Sequence, residues 1–400
     1  MSDGPGKPRI GLILSGGGAR AAYQVGVLRA LLDVLPDGGR HNPFSIICGT
    51  SAGAINAAVM AGAASDFRHG VRRLMTVWKN FHVHHVYRAD PLGAFQNSAR
   101  WIFTALTGGA LTRKPVSLLD NTPLASLLRR HLDFSAIQQS VDAGDLHAFS
   151  VTCSGYSSGQ SVTFYQGHPD LQNWQRARRI GLQMPITLEH LLASSALPFI
   201  FPPVHINREY FGDGSMRQIA PLSPALHLGA ERLLVIGVGR QLEPVTERVK
   251  VNPHPSLAQI AGHALNSIFL DSLEADVERL QRINRTIDII PREILERTSY
   301  PLHKVDFRLV TPSEGLEKIA AAYAHELPRT IRLLMSSVGA TRRGGSTLLS
   351  YVLFERGYCR ALIRLGYKDT IARKEELLSF LGCETHKSEV PAAAPTLALA

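Results

Sequence analysis

Short apolar runs alternate with helical patterns at the start of the chain. Leu12–Leu14 and Phe44–Cys48 have the character of buried strands, and each run ends in a glycine-containing turn. Residues 19–35 between them form a helical pattern, and residues 51–64 are rich in alanine and contain no proline. This order of strand, helix, strand and helix predicts an α/β fold, in which helices cover both faces of a mainly parallel sheet in three layers.

Strand and helix patterns continue further along the chain. The runs at 146–152 and 161–165 predict a β-hairpin, and Leu233–Val238 predicts a buried strand. Ile287–Ile290 and Phe307–Val310 predict two late strands. Apolar residues at spacings of three and four predict an amphipathic helix before them: Leu265, Phe269, Leu273, Val277, Leu280 and Ile283.

These patterns divide the chain into an α/β domain, a helical C-terminal region and a tail. We predict the domain over residues 9–240, with a basic helical cap or insert at 65–140. We expect residues 245–384 to form a mostly helical region and residues 385–400 to form a disordered tail. We expect a cytoplasmic protein, since the sequence has neither an apolar run of membrane-spanning length nor a secretion signal. Its cysteines, which form no C-x-x-C pair, fit reduced thiols: Cys48, Cys153, Cys359 and Cys383.

Charge is concentrated in one part of the chain. The net charge is +10. The stretch from Asp66 to Arg130 contains ten Lys or Arg residues and only three acidic residues. Such a surplus fits a lipid surface, a nucleic acid or simply a solvated basic face. Trp101 and Phe103 lie within this segment, flanked by Arg100, Arg113 and Lys114. The segment is therefore predicted to be a lid that touches anionic membranes, a packed structural cap, or both.

Three histidines in the same segment are candidate metal ligands. His82 and His84 would share one face of a strand, and His85 follows directly. No cysteine or carboxylate cluster completes a coordination shell. The sequence therefore predicts a polar loop here and no metal site.

Three consecutive glycines follow the first strand. Gly16, Gly17 and Gly18 are costly to order, so their presence indicates a close approach to the backbone. The stretch through Ala21 also fits the dinucleotide fingerprint G-x-G-x-x-G/A. That fingerprint requires an acidic residue at the end of the second strand, where this chain continues with glycine, threonine and serine. The dinucleotide interpretation therefore lacks its second half.

The second strand ends in a G-x-S-x-G pattern. Gly49 and Gly53 flank Ser51, and an alanine-rich helix follows. This arrangement is typical of a nucleophile elbow, which presents a serine hydroxyl at a helix N-terminus. The alternative is that Ser51 only caps the helix. An α/β-hydrolase reaches its elbow after several strands, whereas Ser51 follows the second strand.

The glycine triplet and the elbow are predicted to lie together. They end two successive strands, and adjacent parallel strands would bring both turns to the same edge of the sheet. Backbone N–H groups at that edge can stabilise an oxyanion. The triplet is therefore predicted to lie beside a reacting carbonyl group.

The stretches GGGAR, GTSAG and FGDG resemble, in order and spacing, the three motifs of the patatin-like phospholipase family. The resemblance covers about residues 9–240, and ASSALPFIFPPV also resembles the family's segment before the catalytic aspartate. It implies a Ser-Asp dyad without histidine, with Ser51 as the nucleophile and Asp213 as the general base. It also implies an oxyanion hole at Gly16, Gly17 and Gly18 together with the cation Arg20, and a supporting role for Gly49, Gly53 and Gly214.

Two positions depart from the family's usual pattern. Ala21 stands where the family has glycine, and Ser215 stands where it has glycine or alanine. Both residues are small and should fit. The Ser215 hydroxyl could hydrogen-bond the Asp213 carboxylate and lower its basicity, while partial desolvation would raise it.

Together these features predict a hydrolase that cleaves the carboxylic ester bonds of lipids through an acyl-serine intermediate. It would need no cofactor and no metal. Its partners would be a lipid substrate and an anionic membrane surface, met at the inner face of the membrane, and not a nucleic acid. Two alternatives stay open: a nucleotide- or phosphate-binding regulatory protein, and a catalytically silent lipid-binding protein.

Overall fold

The computed structural model describes residues 8–88, 117, 119–240, 254–297, 303–340 and 345–383. Ten strands in these residues form one sheet. They are β1 (Ile10–Leu14), β2 (Ile46–Thr50), β3 (Ala148–Gly155), β4 (Ser161–Gly167), β5 (Trp174–Arg176), β6 (Arg179–Gln183), β7 (Val204–Ile206), β8 (Glu209–Asp213), β9 (Arg232–Ile236) and β10 (Asp306–Val310).

The sheet is parallel in its centre and mixed at one side. Its main path runs β10-β9-β1-β2-β3-β4-β6-β5, and neighbouring strands from β10 to β3 are parallel. The β3–β4 pair is antiparallel, which confirms the predicted hairpin. β8 pairs antiparallel with the end of β3 and with β7. The predicted α/β class with a mainly parallel sheet is therefore confirmed.

Helices surround the sheet and fill the C-terminal region. The α-helices of the described residues span Ala22–Val34, Ala52–Ala61, Phe67–Lys79, Thr122–His131, Ser135–Asp142, Leu188–Ser194, Ser223–His227, Leu257–Asn266, Ser272–Ile289, Arg292–Arg297, Leu316–Tyr323, Arg329–Ser337, Ser346–Val352, Arg356–Ile371 and Lys374–Phe380. Shorter turns of 3₁₀ helix occupy Gly18–Ala21, Val83–His85, Gly214–Met216 and Ala324–Glu326, and a π-helical turn occupies Ser267–Asp271.

Alternation along β1 explains the layers. Leu12 and Leu14 belong to the larger buried cluster, whereas Ile13 belongs to a second cluster on the other face. Successive side chains of a strand point to opposite faces, so a strand buried on both faces needs helices on both sides. The apolar runs of the central strands therefore produce the predicted three layers.

The C-terminal region joins the sheet and packs closely on its helices. β10 extends the sheet beside β9. The helix Arg356–Ile371 crosses the helix Ala22–Val34 so closely that a Cβ atom at Gly26 would lie 2.1 Å from the Ile363 carbonyl oxygen. A Cβ atom at Gly366 would lie 2.2 Å from the Tyr23 carbonyl oxygen. The division of the chain near residue 240 stays a prediction.

One predicted strand is wrong. Ile287–Ile290 lies at the end of the helix Ser272–Ile289 instead of in the sheet. Ile287 continues the buried stripe of that helix, and Ile289 is 82% exposed. The short apolar run is thus the last turn of an amphipathic helix, which a run of this length does not distinguish from a strand. Phe307–Val310, the other late strand, is confirmed as part of β10.

The predicted cap contains three helices in its described part. They are Phe67–Lys79, Thr122–His131 and Ser135–Asp142. Trp101, Phe103 and the basic residues that flank them lie outside the described residues.

Candidate active site

Ser51 lies at a sharp turn between β2 and the helix Ala52–Ala61. Its backbone has φ 55° and ψ −131°, a conformation that a residue with a side chain rarely adopts. Gly53 makes the turn possible, because a Cβ atom there would lie 2.3 Å from the Leu14 carbonyl oxygen. A Cβ atom at Gly49 would lie 2.5 Å from the Ala54 Cα. The two glycines let the helix begin directly at Ser51 and press against the end of β1.

The Ser51 hydroxyl is paired with the carboxylate of Asp213. Ser51 Oγ donates a hydrogen bond of 2.6 Å to Asp213 Oδ2, and the two residues are 2% and 0% exposed. Asp213 ends β8, in register with Cys153 of β3. A Cβ atom at Gly214 would lie 2.1 Å from the Thr152 carbonyl oxygen, so glycine lets the chain turn closely against β3. In the described part of the chain, no histidine hydrogen-bonds Ser51 or Asp213.

Burial makes the Asp213 carboxylate a stronger base. Desolvation raises its pKa from 3.8 to about 6, because the charged form loses water. Hydrogen bonds oppose this shift, from the Ser51 hydroxyl and from the backbone and hydroxyl of Ser215. The Ser215 backbone N–H donates to Asp213 Oδ1 at 3.0 Å. Both predicted influences on the basicity of Asp213 are therefore present, and desolvation is the larger.

The glycine triplet lies beside the elbow, as the strand order predicted. β1 and β2 are parallel neighbours, with Leu14 in register with Gly49. Gly17 and Gly18 have φ of 156° and 56°, a range that favours glycine. Gly18 and Ser51 line one cavity, so the triplet reaches the Ser51 side of that cavity.

Other protein segments pack closely against each glycine of the triplet. A Cβ atom at Gly16 would lie 2.5 Å from Ser215 Oγ, and one at Gly17 would lie 2.4 Å from Val238 Cγ2. A Cβ atom at Gly18 would lie 2.3 Å from the Tyr351 carbonyl oxygen. The triplet indicated that something comes close to the backbone. At these three positions the close neighbours are other parts of the protein itself.

Arg20 points toward the C-terminal region. Its side chain is buried; Nε donates to Ser350 Oγ at 2.8 Å, and Nη1 donates to the Tyr351 hydroxyl at 3.1 Å. Its Cζ lies 4.0 Å from the centre of the Tyr351 ring. The Arg20 backbone N–H donates to the Gly17 carbonyl oxygen. The structure thus gives Arg20 contacts that fasten the glycine turn to the helix Ser346–Val352.

Sequence reasoning missed the residues that hold the elbow from the other side. The Ser51 backbone N–H donates to Ser194 Oγ at 2.8 Å, and Ser194 Oγ donates to the Thr152 carbonyl oxygen at 2.7 Å. The Asp213 N–H donates to the Ala196 carbonyl oxygen. Ser194 and Ala196 lie in ASSALPFIFPPV, so that stretch was a signal for the site without indicating which atoms act.

An apolar cavity of about 290 Å³ extends from Ser51. Its walls come mainly from the helices Ala52–Ala61, Phe67–Lys79 and Thr122–His131. The apolar lining residues are Ala52, Ile55, Val59, Leu74, Val77, Trp78, Phe81, Val86, Leu124, Leu127, Leu128, Leu132, Leu197, Phe201 and Phe354. Such walls fit a hydrocarbon chain better than a nucleotide or another charged ligand.

The three histidines of the cap lie in and next to a 3₁₀ turn, not on a strand. His84 and His85 belong to the turn Val83–His85, and His82 Nδ1 lies 2.7 Å from Glu355 Oε2. Within the described ranges, no group of three or more His, Cys, Asp or Glu residues could hold a metal ion. Within the same ranges, no helix has the length and apolar character needed to cross a membrane.

Comparison with known proteins identifies a family. The family model described as patatin-like phospholipase matches residues 12–226, which is more than half of the chain. The match includes Ser51, Asp213 and the glycine triplet. No curated protein matches the chain.

Two solved structures show distant similarity. The chain is 12% identical to VipD from Legionella pneumophila, with a TM-score of 0.33 over 92% of this chain and 67% of VipD. It is 11% identical to human GIVD cytosolic phospholipase A2, with a TM-score of 0.44 over 94% of this chain and 60% of the human protein. The chain thus spans about two thirds or less of the length of each.

Proposed function

Because the chain belongs to the patatin-like phospholipase family, we propose that it is a lipid acyl hydrolase that cleaves carboxylic esters through an acyl-Ser51 intermediate. The observation that carries this proposal is the hydrogen bond of 2.6 Å between Ser51 Oγ and the buried carboxylate of Asp213. The apolar cavity beside it supports a lipid as the substrate.

The reaction follows from the positions of these two side chains. Ser51 Oγ attacks the carbonyl carbon of the ester while Asp213 Oδ2 accepts the hydroxyl proton. The tetrahedral intermediate collapses, the bond to the leaving alcohol breaks, and the alcohol departs with the proton from Asp213. Water then attacks the acyl-serine with Asp213 as the base, which releases the carboxylic acid and restores the Ser51 hydroxyl. A carboxylate whose pKa is raised to about 6 suits this role near neutral pH.

We assign oxyanion stabilisation to backbone groups at this edge of the sheet. The helix Ala52–Ala61 begins at Ser51, and the first N–H groups of a helix have no partner within it. The turn of Gly16, Gly17 and Gly18 lies beside them and supplies further N–H groups. The contacts of Arg20 with Ser350 and Tyr351 favour an indirect role, in which its guanidinium holds the turn in place.

A fluorophosphonate probe tests the assignment, because it forms a covalent bond only with an activated nucleophile. We expect mass spectrometry to find the probe on Ser51 and to find none on the Ser51→Ala variant. Ser195→Ala is the matched control, since Ser195 lines the same cavity and donates to the Leu191 carbonyl oxygen. That variant should be labelled normally.

Other results would favour the alternatives. Absence of labelling in a folded protein that still binds phospholipid vesicles would indicate a silent lipid-binding protein. Absence of labelling together with binding of a nucleotide or inorganic phosphate would indicate a phosphate-binding protein.

We also propose that the basic segment between Asp66 and Arg130 brings the enzyme to anionic bilayers. The described part of the segment supports this, because Arg72, Arg129 and Arg130 are exposed on two of the helices that enclose the cavity. Positive charge there would place the cavity near a lipid surface.

A further inference from the structure

The cavity follows one face of the helix that begins at the nucleophile. Ser51, Ile55 and Val59 line it at intervals of four residues, so they lie along the same side of the helix Ala52–Ala61. At a rise of about 1.5 Å per residue, this row covers roughly 12 Å along the helix axis. The cavity is therefore elongated, with Ser51 at one end and the level of Val59 toward the other.

The far end of the cavity changes from apolar to basic. His69, Arg72, Arg73 and His131 line it there, and His69, Arg72 and His131 are exposed. These residues belong to the first half of the helix Phe67–Lys79 and to the last residue of the helix Thr122–His131. Leu74, Val77 and Trp78, further along the first of these helices, keep the middle of the cavity apolar.

Arg73 joins the two helices at this end. Its Nη2 donates to the carbonyl oxygen of His131. The last carbonyl groups of a helix lack partners within it, and the negative end of the helix dipole attracts a cation, so this position suits a guanidinium. Hydrogen bonds from Ser135 lower the pKa of Asp133, and the charge of Arg73 lowers it further. The hydrogen bond to His131 therefore holds the Arg73 side chain at the end of the cavity.

We propose that the acyl chain of the substrate occupies this cavity and that the contact of Arg73 with His131 sets the longest chain that fits. This inference rests on the proposed function and adds the chain-length class of its substrate. An apolar cavity of about 150 Å³ holds a benzene molecule, so by the same measure the 290 Å³ cavity holds on the order of ten methylene-sized groups. The preferred substrates are then esters of medium-chain fatty acids.

The physical basis is the contrast between the walls and the end. Each methylene group that is buried against the apolar walls should raise kcat/KM by about fourfold. A longer chain meets the guanidinium and the His131 carbonyl group, and a methyl group can replace neither hydrogen-bonding partner. The gain per methylene group should therefore stop at about the decanoyl ester and reverse for the hexadecanoyl ester.

The test compares p-nitrophenyl esters from butyryl to hexadecanoyl at constant detergent. In Arg73→Ala we expect the hexadecanoyl-to-octanoyl ratio of kcat/KM to rise on the order of tenfold, because the hydrogen bond that closes the end is gone. Lys79→Ala is the matched control: Lys79 is an exposed cation of the same helix and is not among the residues that line the cavity, so its ratio should stay at the wild-type value.

A second variant moves the limit in the opposite direction. Val59→Phe fills the cavity between Ser51 and the basic end. It should lower kcat/KM for the decanoyl ester by about tenfold or more while leaving the butyryl ester nearly unchanged. Val59 takes no part in the contact between Arg73 and His131. Val59→Phe therefore still tests the chain-length limit if Arg73→Ala does not fold.

The outcomes separate the two levels of the proposal. Opposite shifts in Arg73→Ala and Val59→Phe, with none in Lys79→Ala, support it. Hydrolysis with an unchanged chain-length profile in both variants, or an equal shift in Lys79→Ala, overturns the chain-length inference and leaves the hydrolase assignment intact. If the wild type hydrolyses none of the esters and takes no fluorophosphonate label, the proposed function is wrong, and this inference falls with it.

Discussion

The two ends of the cavity are built in different ways. At the catalytic end, Ser51 and Asp213 are fixed by strand ends, glycine turns and short hydrogen bonds, and almost every neighbour is buried. At the far end, Arg73 and His131 lie on surface helices and meet through a single side-chain contact. A side chain added at one of the glycines of the catalytic end would disturb backbone geometry, whereas a substitution at the far end is expected to alter mainly the shape of the cavity. In the function proposed above, the fold thus separates the chemistry from the selection of the acyl chain.

The largest effect should come from Asp213→Asn. The amide keeps the shape of the carboxylate but cannot accept the proton from Ser51, so we expect kcat on a butyryl ester to fall by on the order of 10³-fold or more. The histidine variants His190→Gln, His205→Gln and His227→Gln are the controls. A comparable loss of kcat in any of them would indicate a triad with a histidine base. The catalytic end would then not be built from strand ends and glycine turns alone, and its contrast with the far end would not hold.

The next effect is the pH dependence of kcat/KM, which tests how deeply Asp213 is buried at the catalytic end. Asp213 must be ionised to act as a base, and its pKa is raised to about 6 by burial. We therefore expect kcat/KM for a soluble ester to be low in acid, to rise with pH through about 6 and to level off above it. A rise near pH 4 would show that the carboxylate is hydrated in the working enzyme.

Arg20→Met should have a moderate effect. It removes the bonds to Ser350 and Tyr351 that fasten the glycine turn, so kcat should fall by about tenfold to a hundredfold with little change in KM. Tyr351→Phe removes one hydroxyl and keeps the ring beneath the guanidinium, so its kcat should fall less than that of Arg20→Met. The chain-length profile of both variants should match the wild type. A changed profile would mean that the two ends are coupled.

The smallest effect on catalysis should come from the basic segment. Sedimentation with vesicles should show binding that grows with the fraction of anionic lipid and weakens as salt is raised. Reversing the charge of Arg100, Arg113 and Lys114 together should weaken that binding and leave hydrolysis of a soluble ester unchanged. Equal binding to neutral and anionic vesicles would assign the segment to structure alone.

Short motifs made the catalytic end predictable from the sequence. The turn after β1, the elbow at Ser51 and the Asp-Gly turn at Asp213 each depend on residues within a few positions of one another. Their meeting follows from the parallel order of β1 and β2 and from the pairing of β8 with β3. The rule for parallel strands was sufficient to place the glycine triplet beside Ser51, whereas Asp213 was predicted only by the resemblance to the patatin-like family.

The remaining contacts join distant parts of the chain, so no local pattern could reveal them. Ser194 lies 143 positions from Ser51, and Tyr351 lies 331 positions from Arg20. The cavity likewise depends on how helices far apart in sequence pack together. Local patterns can also mislead. The apolar residues of Ile287–Ile290 fit either a strand or the last turn of a helix, and the sequence alone did not distinguish the two.

The buried carboxylate also has a consequence for folding stability. The pKa of Asp213 rises from 3.8 to about 6 on folding, so the folded state holds the proton more tightly than the unfolded chain does. This stabilising contribution is complete below about pH 4 and is lost as the pH rises through 6. At 1.36 kcal/mol for each pKa unit, the loss is on the order of 3 kcal/mol, a sizeable part of the stability of a typical domain. The ionisation of Asp213 that the proposed mechanism requires thus weakens the fold. The contribution of this group to stability is smallest in the pH range where that mechanism predicts the highest activity.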